Sequence, residues 1–417
     1  MGHTLVEKII MSHLNGKEVK PGDFVIVEPD FAAVNDIYAS FLLDKMKEMG
    51  LKKVWNVDKC GIINDHLMPA CLEREPRSLK AGYELVRDYG VQHLHATGGI
   101  CHQLIPEMGY AKPGNILFVT DSHTTTYGAL GCLSAGIGFT ECAAIWGTGE
   151  IWLRVPETIK IEVEGKLPAH VHSKDIILKV LGDIGADGGR YKSLEFCGSA
   201  IDDLSVEARM TIGNMTVECG GKCSMFNVDK KCAEYCNVDY DSVSWLHADA
   251  DAKYERVIKY RAEDLVPVLA CPPAVDNVHP ITEVKGTRLD QVCIGSCTNG
   301  RFEDIEIAAK IRKGKKVAPH VKFVITAATN SVMKRAISKG YIQDLVKAGA
   351  FITPPYCSFC EGRTMALLSA DEVSLGTNNR NFLGRFGSPK AKVYLGSPEV
   401  AAVSAIAGEI TDPRDLD

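Results

Sequence analysis

The stretch Val-Cys-Ile-Gly-Ser-Cys-Thr-Asn-Gly-Arg, residues 292–301, contains the pattern that decides the fold of this chain. A short apolar run ends in the turn Gly295-Ser-Cys297, and Gly300 precedes a segment with helical spacing. A buried strand, a glycine turn and a helix in this order are typical of layered α/β proteins. Glycines let the backbone approach a bulky group closely. Cys297 also follows the end of a strand, which is where α/β sheets bind ligands.

Two further cysteines extend this pattern. Cys357 and Cys360 form a C-x-x-C that follows the predicted strand Ala350–Thr353. Three thiolates can hold a [4Fe–4S] cluster while one iron stays open to substrate, whereas electron carriers normally use four thiolates. An open metal is a Lewis acid, so the three cysteines indicate chemistry rather than electron transfer. Spacing alone also fits half of a zinc site or a redox dithiol, and both alternatives stay open at this point.

Short β-branched runs alternate with amphipathic runs along the chain, which predicts an α/β fold. Predicted strands are Val25–Glu28, Val54–Val57, Ile116–Thr120, Ile159–Val163, Val292–Ile294, Lys322–Thr326, Ala350–Thr353, Val373–Leu375 and Lys392–Leu395. Predicted helices are Asp36–Glu48, Pro76–Tyr89, Lys174–Ile184, Val206–Cys219, Phe302–Ile311, Ser331–Lys339 and Pro398–Ala407. Several polar motifs directly follow predicted strands, so we expect them to share one cleft at strand carboxyl ends.

Length and composition restrict the class of protein. A chain of 417 residues is too long for one core, and linker candidates predict three domains at 1–155, 156–277 and 278–417. The net charge of −6 and the absence of a Lys/Arg block argue against a nucleic-acid surface. No apolar run approaches a membrane span and no signal peptide is evident, so we expect a cytoplasmic protein. Fifteen scattered cysteines suit free thiols in a reducing compartment.

Histidines beside carboxylates provide candidates for acid–base chemistry, because a neighbouring carboxylate fixes the tautomer of an imidazole and raises its pKa. A single such histidine is more often structural, but several near an open metal favour catalysis. The candidates are Asp65, His66, His102, Asp121, His123 and Glu195. No G-x-S-x-G nucleophile elbow and no phosphate-binding glycine motif is present, which argues against a serine hydrolase and a nucleotide enzyme.

Two other sets of residues are candidate binding groups. Arg380 and Arg385 suit an anionic substrate, because a guanidinium binds a carboxylate through two hydrogen bonds, although surface arginines are equally common. A second cysteine set has the spacing C-x3-C-x8-C-x3-C, which could close a zinc site or only reflect buried helix-spaced thiols. These cysteines are Cys219, Cys223, Cys232 and Cys236.

Together these motifs resemble the aconitase superfamily over almost the whole chain. Within it they are most similar to the large subunits of 3-isopropylmalate dehydratase and to short homoaconitase and 2,3-dimethylmalate dehydratase relatives. The resemblance rests on Asn64-Asp-His66, Gly99-Ile-Cys-His-Gln103, Thr120-Asp-Ser-His-Thr124, Val155-Pro-Glu-Thr-Ile-Lys160, Lys174-Asp-Ile-Ile-Leu178, Arg209-Met-Thr-Ile212, Ile294-Gly-Ser-Cys-Thr-Asn-Gly-Arg301 and Asn379-Arg-Asn-Phe-Leu-Gly-Arg385. It implies three α/β/α domains around a [4Fe–4S] cluster, without the swivelling fourth domain of the family.

The resemblance also implies roles for individual residues. Cys297, Cys357 and Cys360 would hold the cluster, whose open iron would bind the hydroxyl and a carboxylate oxygen of the substrate. His66 would protonate the departing hydroxyl. The implied ion pairs are Asp65 with His66, Asp121 with His102, and Glu195 with His123. The implied substrate-binding residues are Ser122, Asn379, Arg380 and Arg385.

A partner and a substrate class follow from the same resemblance. The family supplies its serine base and one substrate arginine from the swivelling domain, so we expect a small subunit that carries it, and a hydro-lyase acting on a hydroxy-dicarboxylic acid. Tyr356-Cys-Ser-Phe-Cys360 replaces the usual Gly-Cys-Gly-Pro-Cys, and Asn35 and Asn64 are also departures. Substrates other than 3-isopropylmalate, such as 2,3-dimethylmalate or homocitrate, therefore remain open. An iron-responsive RNA-binding protein and a redox or structural metalloprotein are alternatives from other classes.

Overall fold

The computed structural model describes residues 2–312 and 314–416. Its strands are β1 Phe24–Val27, β2 Phe31–Asn35, β3 Cys60–Ile63, β4 His93–His95, β5 Ile116–Val119, β6 Leu133–Gly136, β7 Ile151–Arg154, β8 Thr158–Glu164, β9 Ser193–Cys197, β10 Cys223–Phe226, β11 Arg256–Arg261, β12 Val268–Ala270, β13 Val278–Pro280, β14 Gln291–Ile294, β15 Lys322–Thr326, β16 Phe351–Thr353, β17 Val373–Gly376 and β18 Lys392–Leu395.

The helices alternate with these strands along the chain. They are α1 Leu5–His13, α2 Ala39–Glu48, α3 Pro76–Tyr89, α4 Cys101–Glu107, α5 Phe139–Thr148, α6 Ser173–Ile184, α7 Ser199–Asp203, α8 Val206–Met215, α9 Lys230–Tyr235, α10 Tyr240–Val243, α11 Ser296–Asn299, α12 Phe302–Arg312, α13 Asn330–Ser338, α14 Tyr341–Ala348 and α15 Pro398–Ala407. Short 3₁₀ segments are Ser122–Leu130, Thr216–Cys219, Ala262–Asp264, Ile281–Glu283, Ser358–Glu361 and Pro413–Leu416.

The chain divides into two compact units. Unit 1 comprises residues 1–164 and 189–260, and unit 2 comprises residues 165–188 and 261–417. In unit 1 a five-stranded sheet has the order β4-β3-β2-β5-β6 with every pair parallel. A second sheet has the order β10-β9-β8-β11, and β1 pairs with β7 in an antiparallel ribbon. The carboxyl ends of β2, β3 and β5 therefore lie side by side at one edge of the same sheet.

Unit 2 is built on a seven-stranded sheet of order β13-β12-β18-β17-β14-β15-β16. The strands from β18 to β16 in this order are parallel, and β12 pairs antiparallel with β13 and β18. Its core packs Val292, Ile294 and Phe323 of the strands against helices α12 and α15. Parallel strands buried on both faces carry continuous apolar runs, as Gln291–Ile294 and Lys322–Thr326 do apart from their first residues.

The predicted α/β fold class is confirmed, and several elements agree with the prediction to the residue. Helices Pro76–Tyr89 and Pro398–Ala407 have the predicted bounds, and Ser397 caps the second through a bond from the amide of Val400. The strand predicted at Val54–Val57 is wrong: these residues are irregular and lead into a turn, and the strand begins at Cys60. The division into domains 1–155, 156–277 and 278–417 stays a prediction.

Candidate active site residues

In unit 1, acidic residues and histidines follow the neighbouring strands β2, β3 and β5. Asp65 and His66 come directly after β3, and Nδ1 of His66 lies 2.7 Å from Oδ1 of Asp65. The other oxygen of Asp65 accepts a bond from the amide of Cys101, so this carboxylate is fixed at both oxygens. A carboxylate at Nδ1 leaves Nε2 as the imidazole nitrogen available for proton transfer. The structure thus has the first of the predicted ion pairs.

Asp36 supports His66 from the neighbouring strand. It follows β2, and its carboxyl accepts bonds from the amides of His66 and Leu67 at 3.0 and 2.8 Å. Burial, together with the nearby charge of Asp65, raises the pKa of Asp36 to about 6. The ligand atoms of Asp36, Asp65 and His66 lie within 4.8 Å of one another, which these hydrogen bonds explain. Sequence reasoning treated Asp36 only as a helix start, although the helix begins at Ala39.

Asp121 is the centre of the histidine arrangement. Its Oδ1 lies 2.6 Å from Nε2 of His102, and its Oδ2 lies 3.6 Å from Nε2 of His66. The amide of His123 also donates to Oδ1, at 2.8 Å. Burial acts to raise the pKa of Asp121, but the charge and hydrogen bonds of His102 and His123 outweigh it and hold the pKa well below its ordinary value. Asp121 is therefore a fixed negative charge among imidazoles, and the predicted pair with His102 is present.

The second nitrogen of His102 is also occupied. Its Nδ1 lies 3.1 Å from the hydroxyl of Tyr127, and that hydroxyl donates to the carbonyl of Cys101. Because Tyr127 donates its own proton to Cys101, its oxygen accepts from His102 when Nδ1 is protonated. His102 is buried and bonded at both ring nitrogens, which suits a residue that orders the site rather than one that releases its proton to a substrate.

The predicted pairing of Glu195 with His123 is wrong. Nε2 of His123 lies 2.7 Å from Oε1 of Glu218, in the 3₁₀ segment Thr216–Cys219. Glu195 is in the middle of β9, where it accepts bonds from the hydroxyl of Tyr254 and the amide of Leu5. Burial raises the pKa of Glu195 above its ordinary value. Sequence reasoning missed Glu218, and the available signal was a single carboxylate among small and apolar residues in Asn-Met-Thr-Val-Glu-Cys-Gly-Gly.

In unit 2, tight backbone geometry presents Cys297 at the end of β14. Gly295 has a φ of +144°, and a Cβ there would lie 2.5 Å from the carbonyl oxygen of Thr326. Only glycine fits that approach, so the turn of residues 295–297 depends on it. The buried Arg301 then donates to the carbonyls of Cys297 and Thr298 at 2.8 and 2.6 Å. The side chain of Arg301 thereby fixes the backbone of the loop that carries Cys297.

Asn379 connects two of the predicted ligand cysteines. Its Nδ2 lies 3.4 Å from Sγ of Cys297 and 2.9 Å from the hydroxyl of Thr298, and its Oδ1 lies 3.1 Å from Sγ of Cys360. Arg385 donates through Nε to the carbonyl of Cys360, and its Nη2 lies 4.0 Å from the sulfur. Cys357 is also buried, one 3₁₀ turn before Cys360. Asn379 therefore connects the thiols of Cys297 and Cys360 in unit 2, as donor to the first and acceptor from the second, and Cys357 is buried just before Cys360 in the chain.

The spacing of these thiols indicates what kind of group they fit. A single tetrahedral zinc ion with Zn–S bonds of about 2.3 Å keeps its sulfur ligands within about 4 Å of one another. Among the residues that the structure describes, the three sulfurs are not all within 4.8 Å of one another. They therefore do not converge as a mononuclear site requires, whereas an iron–sulfur cluster places its cysteines further apart because the iron–sulfide core lies between them. The donor set is three buried sulfurs, with an amide N–H at Cys297 and a guanidinium near Cys360, and it fits such a cluster.

The remaining predicted residues lie in both units. Ser122 is half-buried in unit 1, with its hydroxyl 3.3 Å from Nδ1 of His123. Arg380 is half-buried in unit 2 and directly follows Asn379. The second cysteine set does not form a metal site: across residues 2–312 and 314–416, no three of its sulfurs lie within 4.8 Å of one another. These residues are Cys219, Cys223, Cys232 and Cys236.

Comparison with known proteins tests the resemblance. The sequence profile of the Aconitase family (aconitate hydratase) matches residues 7–287 and 279–408. The chain belongs to the aconitase family. The 3-isopropylmalate dehydratase large subunit 1 of Methanopyrus kandleri is 42% identical over 416 residues, covering 99% of each chain. The large subunit of that enzyme from Heliobacterium modesticaldum is 43% identical over 420 residues and covers 100% of each chain. The predicted family and the predicted relationship to hydro-lyase large subunits are confirmed.

A solved structure supports the fold of this aconitase-family chain independently. Aconitase X of Thermococcus kodakaraensis superposes with a TM-score of 0.51 at 13% identity and covers 92% of both chains. At that identity the likeness concerns the fold alone. Within the part of the chain that the structure describes, no helix combines the length and apolar character that crossing a membrane requires.

Proposed function

We propose that this chain is the cluster-bearing large subunit of a hydro-lyase of the 3-isopropylmalate dehydratase type, which removes water from a hydroxy-dicarboxylic acid and returns it. The observation that carries the proposal is the set of three buried thiols in unit 2, two of them bonded through Asn379. Identities of 41–43% to large subunits of that enzyme, over the full chain, support the same reaction class.

Cys297, Cys357 and Cys360 are the proposed ligands of a [4Fe–4S] cluster. When bound through three thiolates, such a cluster supplies a Lewis acid at its open iron, which weakens the bond between carbon and the substrate hydroxyl. The chain contributes the environment. Arg301 fixes the carbonyls beside Cys297, and Arg385 brings a positive charge within 4.0 Å of the Cys360 sulfur. Guanidinium charge near thiolates favours their deprotonated form, which is the form that binds metal.

His66 is the proposed acid that protonates the departing hydroxyl. Asp65 fixes its Nδ1, so the proton that moves is the one at Nε2. Asp121, 3.6 Å from that nitrogen, stabilises the protonated imidazole, and Asp36 fixes its backbone. A general acid of this kind contributes about 10²–10⁴-fold to rate. His102 and His123, each paired with a carboxylate, are proposed to order Asp121 rather than to exchange protons with the substrate.

Substrate carboxylates are the proposed partners of Arg380, with Ser122 as a further contact. Guanidinium groups bind carboxylates through paired hydrogen bonds, which fits a dicarboxylic acid. Arg385 and Asn379 form hydrogen bonds to the cysteine loops, so their first role in the proposal is to position these loops. This assigns binding of the substrate mainly to Arg380 and placement of the thiols to the other two residues.

A small subunit is the proposed partner. The relatives are named large subunits, which implies a second chain in those enzymes. For this chain we propose a partner that brings the base for the carbon-bound proton and a further arginine for the substrate. We also propose that the protein works in the cytoplasm. The substrate class is a substituted malate: 3-isopropylmalate is the first candidate, and 2,3-dimethylmalate and homocitrate are the compounds to compare with it.

An anaerobic reconstitution tests this function. The chain is loaded with iron and sulfide, its EPR spectrum is recorded after mild oxidation, and hydration is assayed with and without the small subunit. We expect a [3Fe–4S] signal that disappears on addition of Fe²⁺, and its absence from Cys297→Ala, Cys357→Ala and Cys360→Ala. Cys293→Ala is the matched control, since Cys293 is a buried thiol of the neighbouring strand β14. A signal that survives the three ligand substitutions, or zinc in place of iron, would reject the proposal.

A further inference from the structure

Lys174 is a buried charge that the proposed reaction does not use. Its side chain is 0% exposed, and its Nζ donates to the carbonyls of Thr377 and Asn378 at 2.7 and 2.6 Å. No carboxylate oxygen of the described residues lies within 4.0 Å of this nitrogen. Buried ammonium groups are normally paired with an anion, because removing the charge from water is unfavourable. The two carbonyl dipoles satisfy its hydrogen bonds, and the nearby carboxylates of Asp304 and Asp175 act on its charge without contacting it directly.

The place of Lys174 in its helix makes this charge more unusual. It is the second residue of α6, Ser173–Ile184, at the end where the helix dipole is positive. Anions are favoured at such an end and cations are disfavoured. Burial, the lack of a paired carboxylate and the helix end all oppose a positive charge here. An anion bound in the same region would stabilise the charged form of this lysine.

The backbone that Lys174 holds leads directly to the thiols. Thr377 and Asn378 follow β17 and precede Asn379, whose amide contacts the sulfurs of Cys297 and Cys360. The hydroxyl of Thr377 also accepts a bond from the amide of Gly295, at the start of the Cys297 turn. Lys174 thus fixes the backbone of residues 377 and 378, which directly precede Asn379. All of these residues belong to unit 2.

The groups around Lys174 include the ligand thiols. Burial lowers the pKa of Lys174 to about 7, and the nearby groups that oppose this shift are, in decreasing order, Cys360, Asp304, Cys297 and Asp175. Thiolates bound to an iron–sulfur core carry net negative charge, which a buried ammonium would compensate. We propose that Lys174 is a positioning residue that holds Asn379 between the ligand thiols and whose charge compensates the thiolate-bound cluster. This inference rests on the proposed function, because it takes the anion to be that cluster.

The test compares Lys174→Met, which removes the charge at similar length, with Lys174→Arg, which keeps it. Lys222→Met is the matched control, since Lys222 is a half-buried lysine of unit 1 whose ammonium lies over the ring of Tyr191. In the reconstituted full chain, the midpoint potential of the cluster and the rate of iron loss under chelator are measured. Hydrogen exchange of the amides of residues 377–381 is followed in the cluster-free chain as an independent readout of loop position.

We expect Lys174→Met to shift the potential to more negative values, because a positive charge stabilises the more negative, reduced cluster. Iron loss and exchange at residues 377–381 should both become at least tenfold faster, with Lys174→Arg returning the potential toward wild type. The proposal would be overturned if Lys174→Met had the same midpoint potential as wild type and Lys222→Met. Unchanged hydrogen exchange of residues 377–381 in Lys174→Met would also overturn it. If wild type binds no cluster, the proposed function fails, and the exchange measurement still decides whether Lys174 positions the loop. General acceleration of exchange outside residues 377–381 would also count against a specific role.

Discussion

Nε2 of His123 lies 2.7 Å from Oε1 of Glu218, although the two residues are 95 positions apart in the chain. Both side chains are nearly inaccessible, at 5% and 9% exposure, so water does not screen the contact. The same histidine donates its backbone amide to Asp121. Glu218 therefore fixes the orientation of His123, whose backbone amide bonds to Asp121, the central carboxylate of the histidine arrangement. Glu218 is the partner of His123 that was expected to be Glu195.

Glu218→Gln should lower kcat far more than Glu195→Gln does. The amide of glutamine cannot stabilise a protonated His123, so the ring loses its fixed tautomer and Asp121 loses part of its support. We expect a decrease of about 10–10²-fold in kcat, since loss of a hydrogen bond to a charged group is worth about 1.5–3 kcal/mol. The measurement is the steady-state rate of the complex reconstituted with its small subunit, normalised to iron content.

Glu195→Gln separates this role from general destabilisation. Glu195 contacts Tyr254 and Leu5, so its replacement should lower the free energy of unfolding by about 1–3 kcal/mol, as expected for a disturbed buried hydrogen bond. Its effect on kcat per bound cluster should be small by comparison. Equal losses of kcat in the two variants would contradict the assignment of Glu218.

The bounds of a helix were predictable where residues such as proline and glycine mark its ends. Helix Pro76–Tyr89 has proline at its start, and Gly90 beyond its end takes a φ of +76°, which ends the helix. Strand Phe31–Asn35 was missed because it is buried on both faces and contains two alanines, so it has neither alternation nor β-branched character. Segment Val54–Val57 has the composition of a strand, but its backbone bonds outside the sheet, with Trp55 donating to the carbonyl of Trp146.

The candidate site was predictable where a motif carries its own partner. Asp65 and His66 are adjacent in the chain, so their contact needs little beyond a strand end. Glu218 was missed because its contact with His123 depends on how α8 and its 3₁₀ extension pack, which no local pattern specifies. Lys174 carries no signal of its own in the sequence, since burial of its ammonium is a property of the tertiary structure.

Asp36 should give a measurable pH dependence of stability. Its pKa is raised from 3.8 to about 6 in the folded chain, so the folded state holds this proton more tightly than the unfolded state. Its contribution to the free energy of unfolding is therefore greatest below about pH 4, decreases between about pH 4 and about pH 6, and remains low above that. Two pKa units correspond to about 3 kcal/mol.

Asp36→Asn removes this titration while keeping the shape of the side chain. The difference in unfolding free energy, variant minus wild type, should rise by about 3 kcal/mol between pH 4 and pH 6.5. Loss of one carboxylate acceptor adds a constant to this difference and does not change the rise. Urea unfolding at half-unit pH intervals measures it. Asp175→Asn is a positive control in unit 2, because burial also raises the pKa of Asp175 to about 6, and its difference should rise with the same sign. A difference that stays flat across this window for Asp36→Asn would contradict the prediction.

Arg301→Lys should weaken retention of the cluster despite the conserved charge. The guanidinium donates to the carbonyls of Cys297 and Thr298 in a fixed fork, which a single ammonium cannot reproduce. Loss of one charge-assisted bond is worth about 1.5–3 kcal/mol, so iron loss under chelator should become about tenfold faster or more. Arg209→Lys is the control, since Arg209 is equally buried but bonds to Asp229 in unit 1. It should reduce stability without accelerating iron loss.

Asn379→Asp should impair the cluster more than Asn379→Ala, although aspartate is the closer match in shape. The amide Nδ2 lies 3.4 Å from the sulfur of Cys297, where it stabilises a thiolate, and alanine only removes that contact. Aspartate instead places a carboxylate among thiolates, and like charges at this distance in a buried site repel strongly. Iron per chain after desalting should therefore decrease in the order wild type, Asn379→Ala, Asn379→Asp. The reverse order for the two variants would mean that Asn379 acts by filling space, and that charge at this position does not govern how the thiols bind metal.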